Sequence, residues 1–344
     1  MTHVSWQREL SRAITNPADL LSALGLDAEL LAPARAASQS FGLRVTHSYL
    51  SRMRHGDIRD PLLRQVLPLA AELAEVPGYE ADPLHEQAAR RAPNLLQKYA
   101  GRALLITTAA CAIHCRYCFR REYPYSAQSN PEQAFSEDES AGRWSAALRA
   151  IAADSSIEEA ILSGGDPLSL SDARLSSLTD ALSAIPHVRR IRVHTRQPVV
   201  LPSRVDAGLL AWLRGVKRPV VIVLHVNHPN EIDDQVRAAC AALRGAGVTL
   251  LNQSVLLRGV NDDVDTLQRL SGELMAAGVL PYYLHLPDRV RGTAHFEVDE
   301  LTAQQLIESL RGRLSGYLVP RLVREVPGAL SKTPSFRAGT SQST

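Results

Sequence analysis

The sequence predicts an α/β fold on a parallel sheet: a partial six-unit (β/α) barrel preceded by a helical region. Three observations point there. From Arg102 onward, short apolar runs alternate with amphipathic stretches, six times in about 185 residues, as strands joined by crossover helices do. Residues able to do chemistry fall just after those runs, which is where a barrel collects them. Before about Tyr99 no strand-like alternation is legible, and stretches such as 6–14 and 18–24 have helical spacing. Six units in this length suit a partial barrel better than an eight-fold one, although the pattern alone also admits a doubly wound sheet.

The strand candidates are ALLIT (103–107), EAIL (159–162), RIRVH (190–194), VVIVLHV (220–226), TLLNQSV (249–255) and YYLHL (282–286). They are short and rich in Val, Ile and Leu, as strands covered on both faces are. Helical patterns fill the intervals at 141–153, 173–184, 207–215, 232–245 and 264–277. The first strand leads into a cysteine cluster, the second into SGGDP (163–167), and the third into Thr195 and Arg196. The fourth leads into HVNHPNE (225–231); the fifth carries NQS (252–254) and the sixth ends in HLPD (285–288). Residues 301–319 predict a further helix, followed by an extended VPRLVREVPG, a GALSKTP loop and a polar tail. The expected organisation is thus a helical region at 1–99, the barrel at 100–290, a C-terminal helix, strand and lysine-bearing loop at 291–336, and a disordered tail at 337–344.

Composition narrows the class. A net charge of +2 on 344 residues argues against a dedicated nucleic-acid or membrane-surface protein. No apolar run approaches the roughly 20 residues that span a bilayer. The opening MTHVSWQRELSRAI lacks the layout of a secretory signal, so a cytoplasmic location is expected. The 38 basic residues include only three lysines, Lys98, Lys217 and Lys332, so any chemistry that needs an amine has few candidates.

Cys111, Cys115 and Cys118 form a C-x3-C-x2-C pattern with Tyr117 before the last cysteine. A structural zinc site takes four ligands, usually in two separated pairs; His114 could supply a nitrogen, but no second pair follows and Cys240 sits inside a helical pattern. An iron–sulfur cubane is normally closed by four cysteines, so three leave one iron open to a ligand. Three unrelated core cysteines fit poorly in an arginine-rich loop. The spacing favours the open 4Fe-4S cluster. SGGDP, taken by itself, reads as a turn.

CAIHCRYC resembles the CxxxCxφC motif (φ aromatic) of the radical S-adenosylmethionine (SAM) enzymes. RVHTRQPVVLPSR, HVNHPNEID, LLNQSVLLRGVND, PYYLHLPD and SKTP extend the likeness over about 80–335, where the chain resembles the lysine 2,3-aminomutase family. The resemblance implies a radical SAM partial barrel whose three cysteines hold the cluster while the fourth iron chelates SAM. Tyr117 belongs to the motif, and Gly164, Gly165 and Asp166 stand where the family contacts the SAM amine. His225, His228 and Gln253 lie on the same face, with SAM contact and buried hydrogen bonding equally open to them. The family also uses pyridoxal 5'-phosphate (PLP) on a lysine, which matches Lys332. Lys98 and Lys217 precede strands, at the far end of the barrel, whereas the loop of Lys332 can reach its mouth.

By the same resemblance Arg102 lies near the PLP phosphate, Arg120 grips the substrate carboxylate, and Asp288 and Glu325 receive the ε-ammonium. Glu325 replaces a family aspartate, which leaves chain-length specificity open. The implied reaction converts L-α-lysine to (R)-β-lysine, with an external electron donor such as flavodoxin or ferredoxin. In length the chain is most similar to EpmB, the bacterial branch that makes β-lysine for a ligase to attach to elongation factor P (EF-P). No cysteine follows Cys240, so the C-terminal zinc of the catabolic branch is not expected here. Two other readings fit parts of the sequence: a free-standing aminomutase for metabolism, acting on lysine or another amino acid, and a zinc-stabilised binding module without chemistry.

Overall fold

Ten strands form one sheet, and their order in space is their order along the chain. The computed structural model describes residues 5–125 and 142–336. The strands are β1 (Arg90–Ala92), β2 (Leu95–Tyr99), β3 (Arg102–Thr108), β4 (Glu159–Gly164), β5 (Arg190–Thr195), β6 (Val220–Leu224), β7 (Thr249–Val255), β8 (Leu280–His285), β9 (Arg321–Arg324) and β10 (Thr333–Pro334). Strands β3 to β9 pair in parallel, with Leu105 opposite Leu162, Leu162 opposite Val193, Val193 opposite Ile222 and Ile222 opposite Leu250. A doubly wound sheet reverses its strand order part-way. This one does not reverse, an order compatible with partial-barrel winding.

All six anticipated strands are present, and each crossover carries a helix. Ser145–Ala153, Asp172–Ser183, Ala207–Gly215, Asp234–Gly245 and Val264–Ala276 join successive strands, and Glu300–Arg311 follows β8. Five of these helices start on a local signal. Ser171, Asp206, Asp233, Asp263 and Asp299 each accept a hydrogen bond from the backbone N–H three residues on, satisfying a donor the helix leaves unpaired. The helix expected over 301–319 ends at Arg311, and the extended segment after it becomes β9.

One expectation fails. The first 99 residues contain two strands, β1 and β2, which add an antiparallel hairpin to the edge at β3. Neither alternates: RRA and LLQKY are three and five residues long with burial falling in blocks. Pairing of β2 with β3, and of β1 with β2, makes them strands, and pairing is invisible to a periodicity test. Asn94, with φ of 60°, turns the chain between them. The N-terminal helices share one hydrophobic core with the sheet: Leu20, Tyr49 and Leu62 belong to the same cluster as Leu105, Leu162 and Ile222. A second cluster, including Leu284, Ile307 and Leu322, seats Glu300–Arg311 against β8 and β9. Among the described residues no helix is long and apolar enough to cross a membrane. The tail at 337–344 lies outside the described residues.

Candidate active site

A cavity of about 390 Å³ gathers residues from β2 to β5, β7 and β8, and from the segments beside β6, β9 and β10, within the size range of small-molecule sites. Its upper wall is built where the loops after β3 and β4 touch. Gly165 N–H donates to the Thr108 carbonyl at 2.7 Å and Asp166 N–H to the Ala110 carbonyl at 2.8 Å. A Cβ on Gly164 (φ 122°) would lie 2.5 Å from the Thr108 oxygen, and one on Gly165 2.4 Å from the Ala110 oxygen. Only glycine lets the two backbones approach this closely. Asp166 ties in a third loop. Its carboxylate accepts from the Thr195 hydroxyl (2.7 Å) and from the backbone N–H of Leu168 (3.0 Å), Arg196 (2.7 Å) and Gln197 (3.1 Å). Both oxygens are engaged within the protein, so Asp166 fixes loops from where it stands.

Cys111, Cys115 and Cys118 all line this cavity. The Cys115 Sγ accepts a hydrogen bond from Arg196 Nη1 at 2.7 Å. Nη2 of the same buried guanidinium donates to Gln65 (2.7 Å), Glu231 (2.9 Å) and the Tyr49 hydroxyl (3.2 Å). Glu231 in turn accepts from Gln65 Nε2 and from the backbone N–H of Asn227 and His228. Behind the cysteine loop, Glu72 pairs with the fully buried Arg116 and, at 2.8 Å, with Arg121. Burial and the neighbouring Cys115 push the Cys118 thiol up to about 11, and burial, Asp166 and the other two cysteines raise Cys111. Three thiolates here therefore require additional positive charge. Among the described residues no three His, Cys, Asp or Glu side chains form a ligand group for a single metal ion.

The Tyr117 ring stacks on His225 at 5.6 Å, with its hydroxyl 3.1 Å from His225 Nε2. Burial and then the Arg196 cation lower His225 to about 3, so it is neutral. Gln253 lines the cavity as well. His228 does not: its Nδ1 accepts the Asn230 N–H at 3.1 Å and caps the turn Pro229–Glu231, which is the hydrogen-bonding role of the two weighed for it.

Away from the thiols, charges alternate along one wall. Arg120 donates through Nε and Nη2 to Glu86 at 2.8 and 2.9 Å. Lys98 stands 3.2 Å from Glu86 and 2.8 Å from Glu325, and Lys332 stands 2.7 Å from the other Glu325 oxygen. Burial opposes ionisation of Glu325, but Lys332 and Lys98 hold its carboxyl well below the usual carboxylate range. Asp288 faces the same space. Arg102 lies 4.6 Å over the Tyr99 ring and makes no ion pair to a carboxylate among the described residues. His285 Nε2, also on the cavity wall, is buried with no hydrogen-bond partner among them.

The place of Lys98 before the first barrel strand predicted the far end of the barrel, yet its amine reaches Glu325. The reason is the hairpin that sequence could not show. β2 runs antiparallel to β3, with Tyr99 opposite Arg102, and the cavity extends down along the strands as far as Arg102 and Arg192. Reactive groups are therefore not confined to the C-terminal strand ends. Arg196 and Glu231, in the segments that follow β5 and β6, also carry charge in or beside the site, as does Glu86. For Glu86 the sequence offered no signal; for Lys98 it offered the scarcity of lysine in the chain.

No family model matches the sequence. Curated relatives do. The L-lysine 2,3-aminomutase of Escherichia coli (strain K12) is 46% identical over 330 residues, 96% of this chain and 94% of that protein. The Haemophilus influenzae protein of the same name is 44% identical over 96% of this chain and 95% of its own length. The chain belongs to the lysine 2,3-aminomutase family. The Clostridium subterminale member is 36% identical over 96% of this chain and 77% of its own length. This is a family of isomerases, so the enzyme reading holds over the zinc-stabilised binding module.

Proposed function

We propose that the protein isomerises L-α-lysine to (R)-β-lysine in the cavity described, using a 4Fe-4S cluster, SAM and PLP, and that the product serves modification of EF-P by its ligase. The observation that carries the reading is the coexistence, in one cavity, of three cysteine thiols and of an amine–carboxylate wall fitted to a zwitterionic diamino acid. Cys111, Cys115 and Cys118 would hold the cluster, with the Arg196 cation beside Cys115 offsetting thiolate charge. Lys332 would carry PLP, the uncommitted Arg102 guanidinium suits its phosphate, and the orphan His285 nitrogen suits a polar ligand atom. When bound, these groups supply a carbon-centred radical and an electron sink for the migrating amine.

The chain's own residues then bind and orient. Arg120 presents N–H donors to the substrate carboxylate, a guanidinium matching it in geometry and charge. Glu325 and Asp288 receive the ε-ammonium at the other end. Fixing both ends leaves the α- and β-carbons little freedom. The glycine contact between the loops after β3 and β4 holds the SAM side in register with the cysteines. An electron donor of the flavodoxin or ferredoxin type completes the requirements. The test is anaerobic reconstitution with iron, sulfide, SAM, PLP and L-lysine, followed by chromatography: β-lysine is expected, with arginine and glutamate unreactive. Transfer of that β-lysine to EF-P by the ligase separates the EF-P role from a metabolic one.

Asp288 adds a pH dependence. Burial and the Glu325 and Glu86 charges raise its carboxyl, Lys332 and Lys98 lower it, and the result is about 7. An ammonium arriving beside it favours the anion, so lysine binding below pH 7 must release a proton. Affinity is therefore expected to fall about tenfold per pH unit below 7 and to level above it. Asp288→Asn should abolish that slope in a binding titration across pH; an unchanged slope would remove Asp288 from the ammonium site.

A further inference from the structure

Arg120 is not free to turn. It is 7% exposed, and the carboxylate that holds it, Glu86, is 3% exposed. Glu86 takes the side edge of the guanidinium through Nε and Nη2, and Nη1 donates to Ser163 Oγ at 3.1 Å. Of the five N–H groups an arginine carries, three are thereby engaged. One remains on each terminal nitrogen, and with Ser163 on the outer N–H of Nη1 these two form the end-on edge that a second carboxylate grips at two points. Glu86 also touches Lys98 at 3.2 Å, and Lys98 and Lys332 both touch Glu325, so along this wall three cations share two carboxylates and one positive charge of the paired groups is left over.

We propose that Glu86 is the positioning residue of the substrate-carboxylate clamp: it fixes the plane of Arg120 so that its free edge faces the cavity, and leaves the site one anion short. This rests on the reading of Arg120 as the clamp. Three features distinguish it from an ordinary buried ion pair. The geometry is side-on, where an end-on pair would consume the edge the substrate needs. Ser163, near the C-terminal end of β4, braces the third nitrogen from the SAM side of the cavity, so the guanidinium is gripped from two walls. The Glu86 backbone is itself held, its N–H donating to Asp82 Oδ1 at 2.8 Å. Burial opposes the Glu86 charge, but Arg120 and Lys98 outweigh it and keep the carboxyl below its usual range.

The test compares ligands with and without a carboxylate, read without turnover. Cluster- and PLP-loaded protein is kept anaerobic and unreduced, and the PLP absorbance change is titrated with L-lysine or with 1,5-diaminopentane, which has both amines and no carboxylate. Glu86→Gln is expected to weaken lysine binding about tenfold or more and to leave 1,5-diaminopentane within about twofold. Glu86→Asp, which keeps the charge, should lie between Gln and wild type; if the Gln variant does not fold, it carries the same ligand comparison. In an Arg120→Lys background Glu86→Gln should add nothing, because coupled residues are not additive. Equal weakening of both ligands, or of neither, overturns the proposal. A wild-type protein that responds to neither ligand would instead sink the proposed function and is distinguishable on that ground.

Discussion

Lys332→Ala protein is expected to lose bound PLP and to retain less than about one thousandth of wild-type turnover, with its iron–sulfur absorption unchanged. Only an amine can hold PLP covalently, and the cavity contains two, Lys98 and Lys332. Their surroundings separate them. Lys98 bridges two carboxylates, Glu86 and Glu325, so taking its amine into a covalent bond would break two buried pairs. Lys332 touches Glu325 alone, sits in a loop, and has its amine 5.9 Å over the Tyr283 ring. The decisive comparison is therefore Lys332→Ala against Lys98→Ala, read by PLP absorbance after gel filtration. PLP retained by the first and lost by the second would make Lys98 the anchor.

Arg196→Met is expected to cost about 3–5 kcal/mol of stability, the range for removing one partner of a buried ion pair. Among the described residues it strips the Glu231 carboxylate of its one ion-pair partner, and it strips Cys115 of its guanidinium donor. The sign with pH follows from Glu231. In the wild type Arg196 and a set of hydrogen bonds outweigh burial and lower its carboxyl pKa, so the pair stabilises above the unfolded carboxylate range and that contribution is lost as pH falls through the lowered value. Without Arg196 burial is opposed only by the hydrogen bonds from Gln65, Asn227 and His228, and the carboxyl rises. The variant is then worst at neutral pH and recovers toward wild type as acid protonates Glu231. Urea denaturation at neutral and mildly acid pH measures this. Adding Glu231→Leu should restore part of the loss, since an apolar pair can replace a buried ionic one. A variant as stable as wild type at neutral pH would show that the network contributes nothing.

What could be read in the chain was local. The six parallel strands were legible as short apolar runs, and the helices between them as amphipathic stretches, because both are patterns of near neighbours along the chain. The three cysteines fall within eight positions, and SGGDP follows its strand directly. Other features depend on groups far apart in sequence. Lys98 reaches Glu325 across 227 positions and Arg196 reaches Gln65 across 131; nothing near any of them marks the partner.

The sequence by itself determined the alternation of strands and helices, the cysteine spacing and the family likeness, since all three are patterns of neighbours along the chain. Tertiary structure decided which charges face one another. It added the β1–β2 hairpin, carried the cavity down to Arg102, brought Lys98 into the site, and set Glu86 on the side edge of Arg120. The physical reason is that burying a charge is tolerable only beside its opposite, and which opposite is available depends on how the sheet brings distant strands together.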